Sequence, residues 1–272
     1  MFNFAIFAKT LRDSALTLFV ACCAIVAFVI LIVYSMLNMG AEVMEFVSKV
    51  GFIRKIFEAT LGISVEGDVS INTLFSISFT HGMVLMLTWG TLIAAATRVT
   101  VGEQERGTAD LLLTLPVTRT EVYLSTTTAW LIMAAMLSMC PIIGVAIGIQ
   151  IFETEEVVEL SRYVAPTINF LAINLAVAGV AMMVGSLINR RGHAVGVIVG
   201  VAFVSVVLNF IEPFLPTLKS IRYFGLLNYF RPVDIVRTGE LPQSSVAVLL
   251  TIAAVTWIIG LTAYRSKDVP TA

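Results

Sequence analysis

ALTLFVACCAIVAFVILIVYSML, residues 15–37, contains no Asp, Glu, Lys or Arg. About 20 apolar residues in a helix cross the ~30 Å hydrocarbon layer of a bilayer. Five more runs are equally free of formal charge: 74–97, 122–152, 164–189, 194–211 and 246–264. The 17 basic and 18 acidic side chains of this 272-residue chain therefore fall in tails and connections. At 58% hydrophobic residues and a mean hydropathy of +0.95, the chain suits lipid rather than water as its solvent. The pattern predicts an all-α polytopic membrane protein, six transmembrane helices in a single transmembrane domain over 1–272. The first run is too long for a cleavable signal peptide and is expected to remain as a span.

Several function classes are excluded at this stage. The connections leave no room for a separate soluble domain, and no GxxxxGK[ST] loop occurs, so the chain does not hydrolyse ATP through a P-loop. Cys22, Cys23 and Cys140 all lie within spans and read as small packing residues. No His/Cys/carboxylate cluster inside a span has metal-ligand spacing. No catalytic residue and no bound cofactor are expected, nor a nucleic-acid partner.

Loop charge predicts orientation. With both termini in the cytosol, the inner pieces 1–14, 98–121, 190–193 and 265–272 carry nine Lys/Arg and six Asp/Glu. The longer outer pieces 38–73, 153–163 and 212–245 carry eight and twelve. Basic density is higher on the assumed inside, which fits a multi-pass inner-membrane protein with cytosolic termini.

The connections have structure of their own. Residues 1–14 put Phe4, Phe7 and Leu11 on one helical face, which suits a short helix on the inner leaflet. Val43, Phe46, Val47, Val50, Ile53, Phe57 and Leu61 recur at helical spacing, predicting an amphipathic helix flat on the outer leaflet. Pro141 predicts a kink in the third span. The stretch 218–230 is apolar but too short to span, so a helix on or dipping into the outer leaflet is expected. Gly192, Gly196 and Gly200, and again Gly144 and Gly148, recur every four residues and allow close helix approach. The spacing leaves open whether that approach is within one chain or between two.

The connection between spans two and three is the informative one: RVTVGEQERGTADLLLTLPVTRTE, residues 98–121. Gly107 can end the extension of span two. Thr108 can cap a short helix with Asp110 in its first turn. That helix, 108–115, shows Leu111, Leu112, Leu113 and Leu115 and stops at Pro116. Thr118 and Glu121 form a capping box that starts span three, with Arg119 between them. Leucines exposed at a hairpin tip need a partner.

The run Glu103-Gln-Glu105-Arg106-Gly107-Thr108-Ala-Asp110-Leu-Leu-Leu-Thr-Leu115-Pro116-Val-Thr-Arg119 resembles the signature of the type-2 ABC exporter permeases. Lys9-Thr-Leu11-Arg12 is similar to that family's N-terminal connecting helix, although Thr10 stands where an acidic residue is usual. Tyr264-Arg265-Ser-Lys267-Asp268-Val269 is similar to its C-terminal close. The resemblance implies that 108–115 is a coupling helix docked in a groove of a separate ATPase subunit. Glu105, Arg106 and Asp110 would orient it, and the leucines would fill the groove. It also implies a second permease chain, in a homo- or heterodimer, with ATP and Mg held by the ATPase partner. The alternative is a nucleotide-independent channel or intramembrane enzyme, which would need a polar lining or catalytic pairs that the spans do not show.

Inside the spans, polar candidates are few. His81, Asn169, Asn174 and Asn209 are the residues that could line a pathway, although asparagines in spans commonly bond between helices. Spans without charge favour an amphiphilic or lipid-like cargo over an ion.

Overall fold

The computed structural model describes residues 2–52, 54, 70–102, 117–154, 156–211 and 221–266. Among them regular structure is entirely helical. Helix α1 is Phe4–Lys49. Span two is built from α2, Ile71–Thr80, and α3, Gly82–Thr97, and ends in a π-turn, Arg98–Gly102. Helix α4 is Arg119–Ile151. A 3-10 turn, Leu160–Tyr163, leads into α5, Val164–Leu187. Then come α6, Arg191–Ile211, two 3-10 turns, Ile221–Phe224 and Leu226–Tyr229, α7, Pro232–Thr238, and α8, Gln243–Ser266. Six helical segments are long and apolar enough to cross a membrane, as the charge-free runs predict.

The first helix starts where Asn3 Oδ1 accepts from Ala5 N–H and Ile6 N–H at 3.0 and 3.2 Å. No proline interrupts it. Its 46 residues span about 69 Å, more than twice the hydrocarbon thickness. The inner-leaflet helix and the start of the outer amphipathic helix are therefore turns of the first span itself. Helical periodicity is read correctly on both sides; the separation is not, because nothing between Asn3 and Val50 breaks the ladder. Helix α1 ends at Val50, which is extended; Gly51, Phe52 and Arg54 are helical again, Arg54 N–H donating to Val50 O at 2.9 Å, and residues 53 and 55–69 of the predicted outer segment lie outside the described residues.

Span two is interrupted where the sequence shows one unbroken run. His81 is extended, with ψ 129°, and ends α2 by donating its N–H to Ile77 O at 3.0 Å. Its Nδ1 then accepts from Met83 N–H at 3.2 Å and opens α3.

Helix α5 is the centre of the bundle, with α3 and α4 on one side and α8 on another. Phe170 meets Phe79 edge-on at 6.0 Å and Phe230 at 5.5 Å. The stretch expected as a surface helix over 218–230 is instead two 3-10 turns, where described, with Leu226, Leu227 and Phe230 buried. Two side chains from spans hold them: Ser205 Oγ accepts from Leu226 N–H at 3.3 Å, and Asn169 Nδ2 donates to Tyr229 O at 3.1 Å. Pro232 then opens α7, and Gly239 ends it at φ 74°, a left-handed position suited to glycine. Burial pushes the α7 carboxyl of Asp234 above its ordinary value, although Arg231 and Arg237 lie close.

The two glycine series have different uses. A Cβ at Gly144 would sit 2.6 Å from Val29 Cβ, and one at Gly148 2.9 Å from Val33 Cβ, so α4 and α1 touch backbone to side chain there. The helix passes through Pro141 without ending. A Cβ at Gly192, Gly196 or Gly200 would meet nothing within 4 Å. Helix α6 buries only Ala194, Ile198 and Ser205, and its glycine stripe faces away from the other described residues.

This difference predicts opposite outcomes for one substitution. Gly144→Leu overpacks the α1–α4 contact and should lower the thermal midpoint of the detergent-solubilised chain, a cost of about 1–3 kcal/mol. Gly196→Leu should leave the midpoint of the isolated chain unchanged. Melting curves followed by size exclusion would read both, and equal behaviour of the two variants would contradict the assignment.

Candidate functional site at the base of the 103–116 connection

The connection that bears the exporter-like motif leaves span two after Gly102 and rejoins the described chain at Val117. Glu105, Arg106, Gly107, Thr108, Asp110, Leu111, Leu112, Leu113, Leu115 and Pro116 lie outside the described residues. What is described is the base on which the connection stands, and it is built from the feet of several helices.

On the rejoining side, the predicted capping box is present. Glu121 N–H donates to Thr118 Oγ1 at 3.2 Å, and Thr118 N–H donates to Glu121 Oε2 at 2.9 Å. Arg119 is the first residue of α4. Asn3 N–H donates to Ser125 Oγ at 2.9 Å, tying the start of α1 to the second turn of α4.

On the leaving side, two arginines grip span two from different directions. Arg98 Nη1 donates to Asp13 O at 2.7 Å, and its Nη2 lies 3.6 Å from Asp13 Oδ2, which fixes span two to α1. Both side chains are half-buried, so the contact is less screened than a surface pair. Arg191, the first residue of α6, donates from Nη2 to Ala94 O at 3.0 Å and from Nε to Thr97 Oγ1 at 3.5 Å. A small cleft of about 20 Å³, room for one water, opens between Ile6, Lys9, Thr10, Asp13, Arg98, Val99 and Val122. Arg98 Nε is buried there without a protein partner, so a water in the cleft would complete its hydrogen bonding.

Spans one, two, three and five thus meet at the base of the connection. Sequence reading isolates Lys9, Arg12 and the capping box but misses Asp13–Arg98 and Arg191. The available signal was an arginine at each span boundary, but the shortest bond each makes is to a backbone oxygen, which no side-chain motif reveals.

The four pathway candidates do not form one site. His81 caps α3 and its ring lies 4.7 Å from Phe28. Asn174 is fully buried, accepts from Trp89 Nε1 at 3.1 Å and donates to Ser138 Oγ at 2.9 Å, which joins α3, α5 and α4. Asn169 holds the outer turns, donating to Tyr229 O and accepting from Arg231 N–H at 3.3 Å. Asn209 lies near the end of α6. The partners of Asn169 and Asn174 are structural ones, as between packed membrane helices generally. Trp130 Nε1 and Thr88 Oγ1 are buried in the same bundle with no hydrogen-bond partner among the described residues. Among the described residues no group of three or more His, Cys, Asp or Glu could hold a metal ion.

Six long apolar helices, four of which meet at the base of one connection, are the architecture of a polytopic membrane protein. The chain belongs to the family described as multidrug efflux system permease Rv1217c, C-terminal domain, whose model matches residues 7–265. It is an ABC transporter permease of the exporter class, in agreement with the resemblance carried by the 103–119 motif. No curated protein matches the chain.

The Trp89–Asn174–Ser138 chain generates a prediction. Asn174→Leu leaves the indole N–H of Trp89 without an acceptor in an apolar interior and should cost about 1–2 kcal/mol. Trp89→Phe in that background should cost little more than its lost packing, because the shared bond is already gone. Thermal unfolding of the four members of the cycle measures the coupling, and strict additivity would show that the bond contributes nothing.

Proposed function

We propose that this chain is the membrane-spanning subunit of an ATP-driven exporter in which a separate ATPase docks on segment 108–115. The observation that carries the reading is the base of that connection. Asp13, Arg98 and Arg191 tie it to spans one, two and five, so a displacement of the connection is passed directly to three spans. A loop that only linked two helices would need no such ties.

In this reading ATP and Mg are bound and used by the partner, and the chain contributes movement. Leu111, Leu112, Leu113 and Leu115 fill a groove on the ATPase, while Glu105, Arg106 and Asp110 orient the segment by polar contacts. Closure of the ATPase pushes the connection, and the first, second and fifth spans shift to open an outward path or lateral gate. A second permease chain, identical or related, completes the pathway across the outward face of α6. The protein sits in the cytoplasmic membrane with both termini and the 103–116 connection in the cytosol. The family description names multidrug efflux, and spans free of formal charge suit an apolar or amphiphilic cargo.

Leu112→Asp and Leu113→Asp should each abolish capture of the co-expressed ATPase subunit while membrane insertion is kept, since a charge would be forced into an apolar groove. Undiminished capture by both variants would remove the coupling role from this segment.

The orientation is tested separately. A cysteine introduced at Lys49, in a chain whose own cysteines are replaced by alanine, should react with an impermeant maleimide from the outside of intact cells. Reaction only after the cytosolic face is opened would invert the topology.

A further inference from the structure

The foot of span two changes from α to π pitch between Arg98 and Gly102, a register that a simple membrane crossing does not need. Single π-turns are rare and occur frequently at functional sites. Three side chains serve carbonyls around this change. Thr97 Oγ1 donates to Ile93 O at 2.7 Å, Thr100 Oγ1 to Ala96 O at 3.0 Å, and Arg191 Nη2 to Ala94 O at 3.0 Å. The two threonines belong to span two and would move with it in either register. Arg191 comes from α6. Its stem also runs beneath the turn: a Cβ at Gly102 would lie 3.5 Å from Arg191 Cδ.

We propose that Arg191 is the positioning residue that keeps Arg98–Gly102 in the π register, and so sets the direction in which the 103–116 connection leaves span two. The first half stands on the geometry alone. The second rests on the coupling role proposed for that connection.

The register can be read at Thr100. In the π-turn this residue faces α5 at Gly185: a Cβ built on Gly185 would lie 3.2 Å from Thr100 Cβ. Thr100 is buried, with 1% of its surface exposed. A return to α pitch rotates the residues of the turn progressively, up to about 100° at its end, so Thr100 in the middle turns by part of that angle and its side chain leaves Gly185.

The test uses the full chain in native membranes, with Cys22, Cys23 and Cys140 replaced by alanine. Thr100→Cys with Gly185→Cys places the two Cβ atoms near disulfide distance and should cross-link within the chain on mild oxidation. Adding Arg191→Ala should shift the balance between the two registers about tenfold away from the π form, as for loss of one charge-assisted hydrogen bond, and so lower the cross-linked fraction. Arg191→Lys keeps the charge but not the two-donor fork, and should fall between. Because Gly185→Cys crowds Thr100, the second readout keeps Gly185. Thr100→Cys alone should label slowly with maleimide, and about tenfold faster beside Arg191→Ala. Cross-linking and labelling both unaffected by Arg191→Ala would overturn the register claim. Neither readout involves the ATPase, so failure of the coupling reading would leave them standing. For the second half, Arg191→Ala with the ATPase co-expressed should still capture the ATPase but lose the stimulation of its ATP hydrolysis that the unsubstituted chain gives over the ATPase alone. Full stimulation would overturn the link from register to coupling.

Discussion

A bilayer interior offers no water to a backbone group that leaves the helical ladder. Most of what is particular in this structure follows from that constraint. Where the ladder is interrupted, a side chain stands at the break. His81 ends one half of span two and its ring nitrogen takes the first free N–H of the next half. The π-turn at the foot of the same span has Arg191, Thr97 and Thr100 on neighbouring carbonyls. The outer 3-10 turns are held by Ser205 and by both ends of the Asn169 amide. The polar residues of the spans are thus largely committed to backbone, and few remain for cargo. On the function proposed above, such a transporter would recognise its cargo mainly by shape and apolar contact, in keeping with a family described by multidrug efflux.

The same economy explains the glycines. Between membrane helices there is little hydrophobic driving force, so association depends on close packing. Gly144 and Gly148 meet this need inside the chain, seating Val29 and Val33 of α1 against α4. Gly192, Gly196 and Gly200 have the same spacing, but among the described residues nothing lies within 4 Å of a Cβ built there. Identical motifs can serve internal packing or face outward, and only the rotation of each helix about its axis separates the two cases. That rotation is set by tertiary contacts: Ala194, Ile198 and Ser205 of α6 turn inward and leave the glycines outside.

What was legible in the sequence was what depends on neighbours along the chain. Charge-free length located the six spans, and a four-residue pattern located the Thr118–Glu121 cap. The continuity of α1 was legible too, in the absence of any proline from Phe4 to Lys49, but amphipathic periodicity suggested separate surface helices. The break at His81 was not legible, since one polar residue in an apolar run gives no sign that its ring will cap a helix. Nor was the base of the connection. Arg98 and Arg191 bind carbonyls of Asp13 and Ala94, residues 85 and 97 positions away, and a carbonyl carries no side-chain identity. The segment 103–116 is the reverse case: its motif is the most specific in the chain, yet its contacts lie outside the described residues.

These ties also rank the spans by freedom to move. Helix α5 is deeply buried, with 78% of its apolar window inside the bundle, whereas α6 has 17%. Displacing α5 would disrupt packing on several sides at once, and packed interiors resist such shifts. Displacing α6 disturbs three buried residues and the clamp at Arg191. The most loosely packed span at the base is thus the one whose first residue grips the foot of span two. A movement of the connection would meet least resistance along α6, and the same contact would return the state of α6 to the connection. On the register proposed above, coupling of this kind would need no wire of residues through the core, only one clamp between a lightly buried span and an irregular turn.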